Sequence, residues 1–148
     1  MRSILIIAAA TLALAGCGQP HRTANGDTQI VIPGKDGGSL VMGKQLPANL
    51  PSYVTVMPGG KITATMDMAG KGGLLGFTTT ATPSAVADYY KAAAAKANLT
   101  PGMDSTTANP NGESRVVTFQ QENTKRNLMV TAQVENGATT VALSYGEP

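Results

Sequence analysis

Apolar and polar residues alternate most clearly between Ile62 and Met68. Ile62, Ala64, Met66 and Met68 interleave with Thr63, Thr65 and Asp67. A period of two sends successive side chains to opposite faces of a strand, so the spacing predicts that the four apolar residues point inward. The turn Pro58-Gly59-Gly60 leads into this strand, and Gly70-Lys71-Gly72-Gly73 leads out of it. Leu75, Phe77, Thr79 and Ala81 continue the rhythm, with Gly76 on the other face, where it permits close packing or a bulge. Three further strands are expected. Arg115 to Gln121 carries Val117 and Phe119 inward; Asn127 to Val134 carries Leu128, Val130, Ala132 and Val134; Thr139 to Tyr145 carries Val141, Leu143 and Tyr145. Glu135-Asn136-Gly137 separates the last two, and Asn-Gly suits a type I′ hairpin turn. Their other face, with Thr131, Gln133, Thr140 and Ser144, is polar.

One segment changes period. Thr82 can cap a helix and Pro83 suits its first turn. Val86, Tyr89, Tyr90, Ala93 and Ala97 recur at helical spacing, and Asn98 with Pro101 and Gly102 ends the run. This predicts a helix over 83–97, with Tyr90 nearer to solvent than Tyr89. Thr100 to Glu113 holds too many Pro, Gly, Asn, Ser and Thr residues for a strand core and is expected as a long return loop. Upstream, Gln29 to Ile32 and Ser39 to Met42 form a short strand pair around a Gly-rich turn. The Leu46 to Met57 connection carries Pro47 and Pro51, and its Tyr53, Val54 and Val56 can pack on the domain. The expected fold is α+β: an antiparallel sheet of about five strands in the order β-β-α-β-β-β, one long helix on one face, and the short strand pair in front.

The N-terminal stretch follows neither period. Ile4 to Ala15 is an apolar run softened only by Thr11, preceded by Arg2 and followed by Gly16 and Cys17. A positive end, a short apolar region and small residues read as a signal peptide, and the run falls short of the roughly 20 residues that span a bilayer. Leu14-Ala15-Gly16-Cys17 resembles the lipobox of bacterial lipoprotein precursors: an aliphatic residue, two small residues and the cysteine. The resemblance implies that the Cys17 thiol takes a diacylglycerol, that the leader is cut before it, and that the new amino group is acylated. Gly18 stands where Gram-negative lipoproteins retained in the inner membrane usually carry aspartate, so the resemblance implies the outer membrane and a periplasm-facing domain. The expected organisation is a signal peptide over 1–16, a lipidated cysteine and flexible tether over 17–27, a hairpin-like module over 28–45 and the α+β domain over 46–148. The tether follows from the polar composition of Gly18 to Asp27, which buries too little to offset chain entropy.

The rest of the chain resembles a loose group of small bacterial envelope lipoproteins in Leu46-Pro47, Pro58-Gly59, Phe77-Thr78-Thr79, Thr82-Pro83-Ser84 and Tyr89-Tyr90. That resemblance implies the same layout and no particular activity. Met57 stands where an aromatic or acidic residue is usual in the group.

Composition narrows the chemistry. The 148 residues carry a formal charge of +2; without Arg2, ten basic and nine acidic side chains remain. Neither a nucleic-acid surface nor a polybasic membrane patch follows from so even a balance. Cys17 is the single cysteine, so no internal disulfide forms. His21 is the single histidine and lies in the tether without a cluster of metal ligands around it. The glycine turns at 37–38 and 70–73 lack the lysine and hydroxyl of a phosphate loop. Ser84 and Ser39 have Ala87 and Met42 three residues on, not lysine, and the carboxylates Asp67, Asp88, Asp104 and Glu122 are scattered. The expectation is therefore a lipid-anchored, non-catalytic module for protein interaction or envelope maintenance. It has an envelope protein as partner and no cofactor, metal or catalytic residue. The alternative is a carrier of a small apolar ligand or lipid, using a helix–sheet seam lined by Met66, Met68, Phe77, Tyr89 and Tyr90. A hydrolase is the third reading.

Overall fold

The computed structural model describes residues 19–22, 28–33, 39–48, 50–68, 71–110 and 112–146. Nine strands among them form one antiparallel sheet: β1 (Gln19–Arg22), β2 (Thr28–Pro33), β3 (Ser39–Gly43), β4 (Lys61–Met68), β5 (Gly72–Thr79), β6 (Thr100–Asn109), β7 (Gly112–Gln121), β8 (Arg126–Glu135) and β9 (Ala138–Gly146). Their spatial order is β1-β2-β3-β4-β5-β9-β8-β7-β6. Among the described residues a single helix, α1 (Pro83–Lys96), crosses from β5 to β6. The α+β class and the lone helix agree with the sequence pattern; a sheet of about five strands does not.

The extra strands have physical causes. The strand pair β2 and β3 is not a separate module, because β3 pairs with β4 from Leu40↔Met68 to Gly43↔Thr65 and extends the same sheet. β1 lies inside the segment expected as a tether and pairs with β2, Gln19 opposite Val31. The expected return loop is β6, paired with β7 from Thr100↔Gln120 to Asn109↔Gly112. A register shift between Pro101 and Asp104 absorbs the proline and glycine that argued against a strand. An edge strand needs one partner's hydrogen bonds and no buried stripe, so its composition hides it.

Local chemistry sets the turns. Pro58 and Gly59 occupy the centre of a turn closed by Gly60 N–H donating to the Met57 carbonyl at 2.9 Å, and Gly59 takes φ +80° as a type II turn requires. Asn136 and Gly137, at φ 51° and 79°, join β8 to β9 as expected of type I′. Thr82 Oγ1 accepts from Ala85 N–H at 3.2 Å at the start of α1. Asn98, at φ 58°, ends the helix. Leu99 N–H there donates to the Ala94 carbonyl and Asn98 N–H to the Ala95 carbonyl, a Schellman motif that drops Leu99 into the core.

The core occupies one face of the sheet. α1 packs over β6, β7 and β8 with Pro83, Val86, Ala87, Tyr90 and Ala94 buried. Tyr90 is fully buried and Tyr89 only half so, the reverse of the expected order. The 50–57 segment packs on the same core, burying Tyr53 and Val54. Tyr53 Oη donates to the Gly146 carbonyl on β9 at 3.0 Å, and Tyr90 Oη donates to the Thr55 carbonyl at 2.5 Å, which ties the helix to this strap. At the β6–β7 edge, Arg115 grips Asp104 through Nε and Nη2, both at 3.0 Å, and Lys91 of α1 reaches the same carboxylate at 2.7 Å. No helix among the described residues is long and apolar enough to cross a membrane.

Candidate functional site

The seam between helix and sheet is filled. Phe77 and Tyr90 are fully buried there, packed with Leu75, Val117, Phe119, Val130, Val141 and Leu143. Tyr89 meets Tyr90 edge to face at 5.1 Å between ring centres and shares a hydrogen bond with Thr55 Oγ1 at 3.2 Å. Met66 and Met68 are elsewhere, so the five residues expected to line one seam are not brought together. An open groove of about 470 Å³ does run along the outer flank of α1, between Ser52 and Thr55 of the strap and Tyr89, Ala93 and Lys96 of the helix.

The displacement of the two methionines comes from one inserted residue. Ile62 pairs with Phe77 on the core face, but the next aligned pair is Ala64 with Gly76, leaving Thr63 as an extra residue. A bulge of this kind reverses the facing of everything beyond it. Thr65 therefore turns into the core, where its hydroxyl is shared between the Gly43 and Gln45 carbonyls at 3.0 and 2.9 Å. Ala64, Met66 and Met68 turn to the face without the helix.

That face carries a row of apolar side chains. Cross-strand partners run Ile30, Met42, Met66, Leu74, Ser144, Met129 and Thr118, from β2 to β7. Ile32 lies two residues on from Ile30, and Met68 two on from Met66, on the same face. Leu74 is 44% exposed and Met68 47%, and Ile30, Ile32 and Met129 are also exposed. Methionine is thus concentrated on the uncovered face, while leucine, valine and aromatic residues fill the covered one. Beyond Ser144 and Met129 the face becomes polar through Thr131, Gln133, Thr140 and Ser114, and Gln133 and Thr140 both donate to the Glu135 carboxylate.

Titratable chemistry is sparse. Asp104 is held down to about 2 by hydrogen bonds from Arg115 and then Lys91. Ser84 Oγ donates to Glu113 at 2.8 Å and accepts from Arg115 Nη1 at 3.1 Å, so its hydroxyl is engaged in the same edge clamp. Burial first, then the charge of Asp67, pushes the Tyr145 phenol up. Its Oη is buried and finds no hydrogen-bond partner among the described residues. No three His, Cys, Asp or Glu side chains converge as metal ligands among the described residues. Cys17 and the leader lie outside those residues.

Strict alternation through Thr63 hides the exposed row, because nothing in the local pattern marks the bulge. A signal was present in Leu74-Leu75 and Leu128-Met129: adjacent large apolar residues in a strand must place one on each face. Compared with protein-family models, curated proteins and solved structures, the chain matches none.

Proposed function

We propose that this protein is a lipid-anchored envelope lipoprotein whose domain faces the periplasm and works by surface contact rather than catalysis, with an envelope protein as partner. The observation that carries the reading is Leu14-Ala15-Gly16-Cys17 directly behind an apolar leader. A sheet with one covered and one open, partly apolar face supports it, because an uncovered face of this kind is a contact surface. The packing of Phe77 and Tyr90 within the helix–sheet seam favours this reading over a carrier, and the groove of about 470 Å³ beside α1 is open rather than enclosed.

Mass measurement of the N-terminal peptide from a membrane fraction tests the anchor. Expected is a chain that begins at Cys17 and carries acyl chains. A soluble chain cut elsewhere, with a free thiol, refutes it. Crosslinking in the intact envelope tests the contact role, and specific envelope partners are expected. Hydrolysis in a substrate screen that is lost on replacing one carboxylate refutes the non-catalytic reading.

A further inference from the structure

We propose that the uncovered face of β2 to β5 lies flat on the lipid surface that holds the anchor, with Ile30, Ile32, Met68 and Leu74 seated among the headgroups. The inference rests on the acylation of Cys17 proposed above and deepens it, by fixing how the domain sits.

Chain length is the first argument. β1 begins at Gln19, two residues after Cys17. Two residues reach at most about 7 Å. An anchor this close leaves no leash to hold the domain away from the bilayer. Position is the second argument. Gln19 pairs with Val31, whose neighbours Ile30 and Ile32 are both exposed. The chain that follows Cys17 therefore joins the sheet at Gln19, beside the β2 end of the apolar row. From Ile30 to Leu74 the row crosses three inter-strand gaps, roughly 14 Å.

The two faces then differ in what they can offer a membrane. On the other face α1 covers β6 to β8, and along β2 to β5 that face keeps Leu75 and Phe77 buried and Val31 and Val41 half-buried. On the open face of β2 to β5, the described side chains include no aspartate or glutamate. Asp67, between Met66 and Met68, points to the core face, where its strand partner is Gly73. Exposed Lys61 and Lys71 flank the row at opposite ends of β4 and β5, placed to meet anionic headgroups. Exposed aliphatic residues next to an acyl chain, rimmed by lysine and, among the described residues, free of carboxylates, fit a bilayer interface.

The chain contains no tryptophan, so an introduced one reports a single position. Full-length protein carrying Leu74→Trp is expressed in a host that acylates it, its mass is confirmed, and it is reconstituted into phosphatidylethanolamine–phosphatidylglycerol vesicles with brominated acyl chains. Ala92→Trp, exposed on the outer flank of α1, is the control. Met68→Trp repeats the measurement should Leu74→Trp fail to fold. Bromine should quench Leu74→Trp and Met68→Trp roughly twofold or more beyond Ala92→Trp, as for side chains at the headgroup–acyl boundary. Equal quenching at all three positions overturns the orientation. So does a blue-shifted Leu74→Trp emission that bromine leaves untouched, which would put a second copy or another protein on the face. The two readings fail separately. A mass without acyl chains removes the anchor, whereas acylated protein with an unquenched Leu74→Trp removes only the orientation.

Discussion

Tyr90 and Tyr145 are both buried, and deleting the same oxygen from each should have opposite effects. Tyr90 Oη donates to the Thr55 carbonyl at 2.5 Å. Tyr90→Phe leaves that carbonyl without its donor, a loss of about 1–3 kcal/mol. Tyr145 is 4% exposed, and its hydroxyl has no partner among the described residues. Folding strips that hydroxyl of water without return, so Tyr145→Phe should stabilise by about 1 kcal/mol while the ring keeps its packing. Against a typical domain stability of about 5–15 kcal/mol, both changes are measurable. With a urea slope of roughly 1–3 kcal/mol/M, the two midpoints should move in opposite directions, by about 1 M for Tyr90→Phe and somewhat less for Tyr145→Phe. Urea unfolding of a soluble chain starting at Gln19, followed by far-ultraviolet circular dichroism, makes the measurement. Destabilisation of similar size by both substitutions would mean that Tyr145 Oη has a partner in the folded protein, and the reasoning fails.

Three more outcomes are expected. Burial, above all, raises the pKa of Tyr90 from its ordinary 10.0, so the unfolded chain ionises first. Stability should hold below pH 10 and fall above it, at up to about 1.4 kcal/mol per pH unit for this residue. Urea midpoints from pH 8 to 11 check this, and Tyr90→Phe should flatten the fall. Phe77→Ala should cost about 3–5 kcal/mol and Leu74→Ala under about 1 kcal/mol, although they lie on one strand, because only Phe77 faces the core; equal costs in urea unfolding would contradict the assigned faces. Gly73→Ala should destabilise more than Gly59→Ala, as seen in thermal unfolding. A Cβ at Gly73 runs into the Met66 carbonyl and the Tyr145 ring, whereas one at Gly59 meets nothing and suffers only from its positive φ.

The residues that announced themselves in the sequence were those whose role is local. Thr82 and Pro83 start the helix, Asn98 stops it, and Asn136-Gly137 turns the last hairpin, because caps and turns depend on a few adjacent side chains. The inward stripes of β7, β8 and β9 were legible for the same reason: Val117, Phe119, Leu128, Val130, Val141 and Leu143 alternate without interruption and are all buried. What failed to show depended on distant partners. β6 is a strand because β7 offers hydrogen bonds, and its own Thr100-Pro101-Gly102 gives no hint of that. β1 has the composition of a linker and is ordered by β2. Tyr89 and Tyr90 are neighbours whose order of burial is decided by the rotation of α1 on the sheet, which the broad stripe of alanines leaves open.

The open face depends on one irregularity that no period reveals. If β4 ran without the extra Thr63, Met66 and Met68 would lie on the core face, and Thr65 and Asp67 on the open one. The bulge instead gives the core a hydroxyl that it can use, since Thr65 bonds the Gly43 and Gln45 carbonyls where the chain leaves β3. It also brings Asp67 to the core face as the strand partner of Gly73, the only residue type that lets Tyr145 lie so close. Beside these lie a Tyr145 phenol with no partner among the described residues on one side of the sheet and a row of exposed methionine and leucine on the other. An exposed apolar row in a monomer in water gains nothing for folding, because its residues are exposed in both states. On the proposal that Cys17 is acylated, lipid is what would cover it, because the β2 end of the row lies beside Gln19 and Gln19 is two residues on from Cys17.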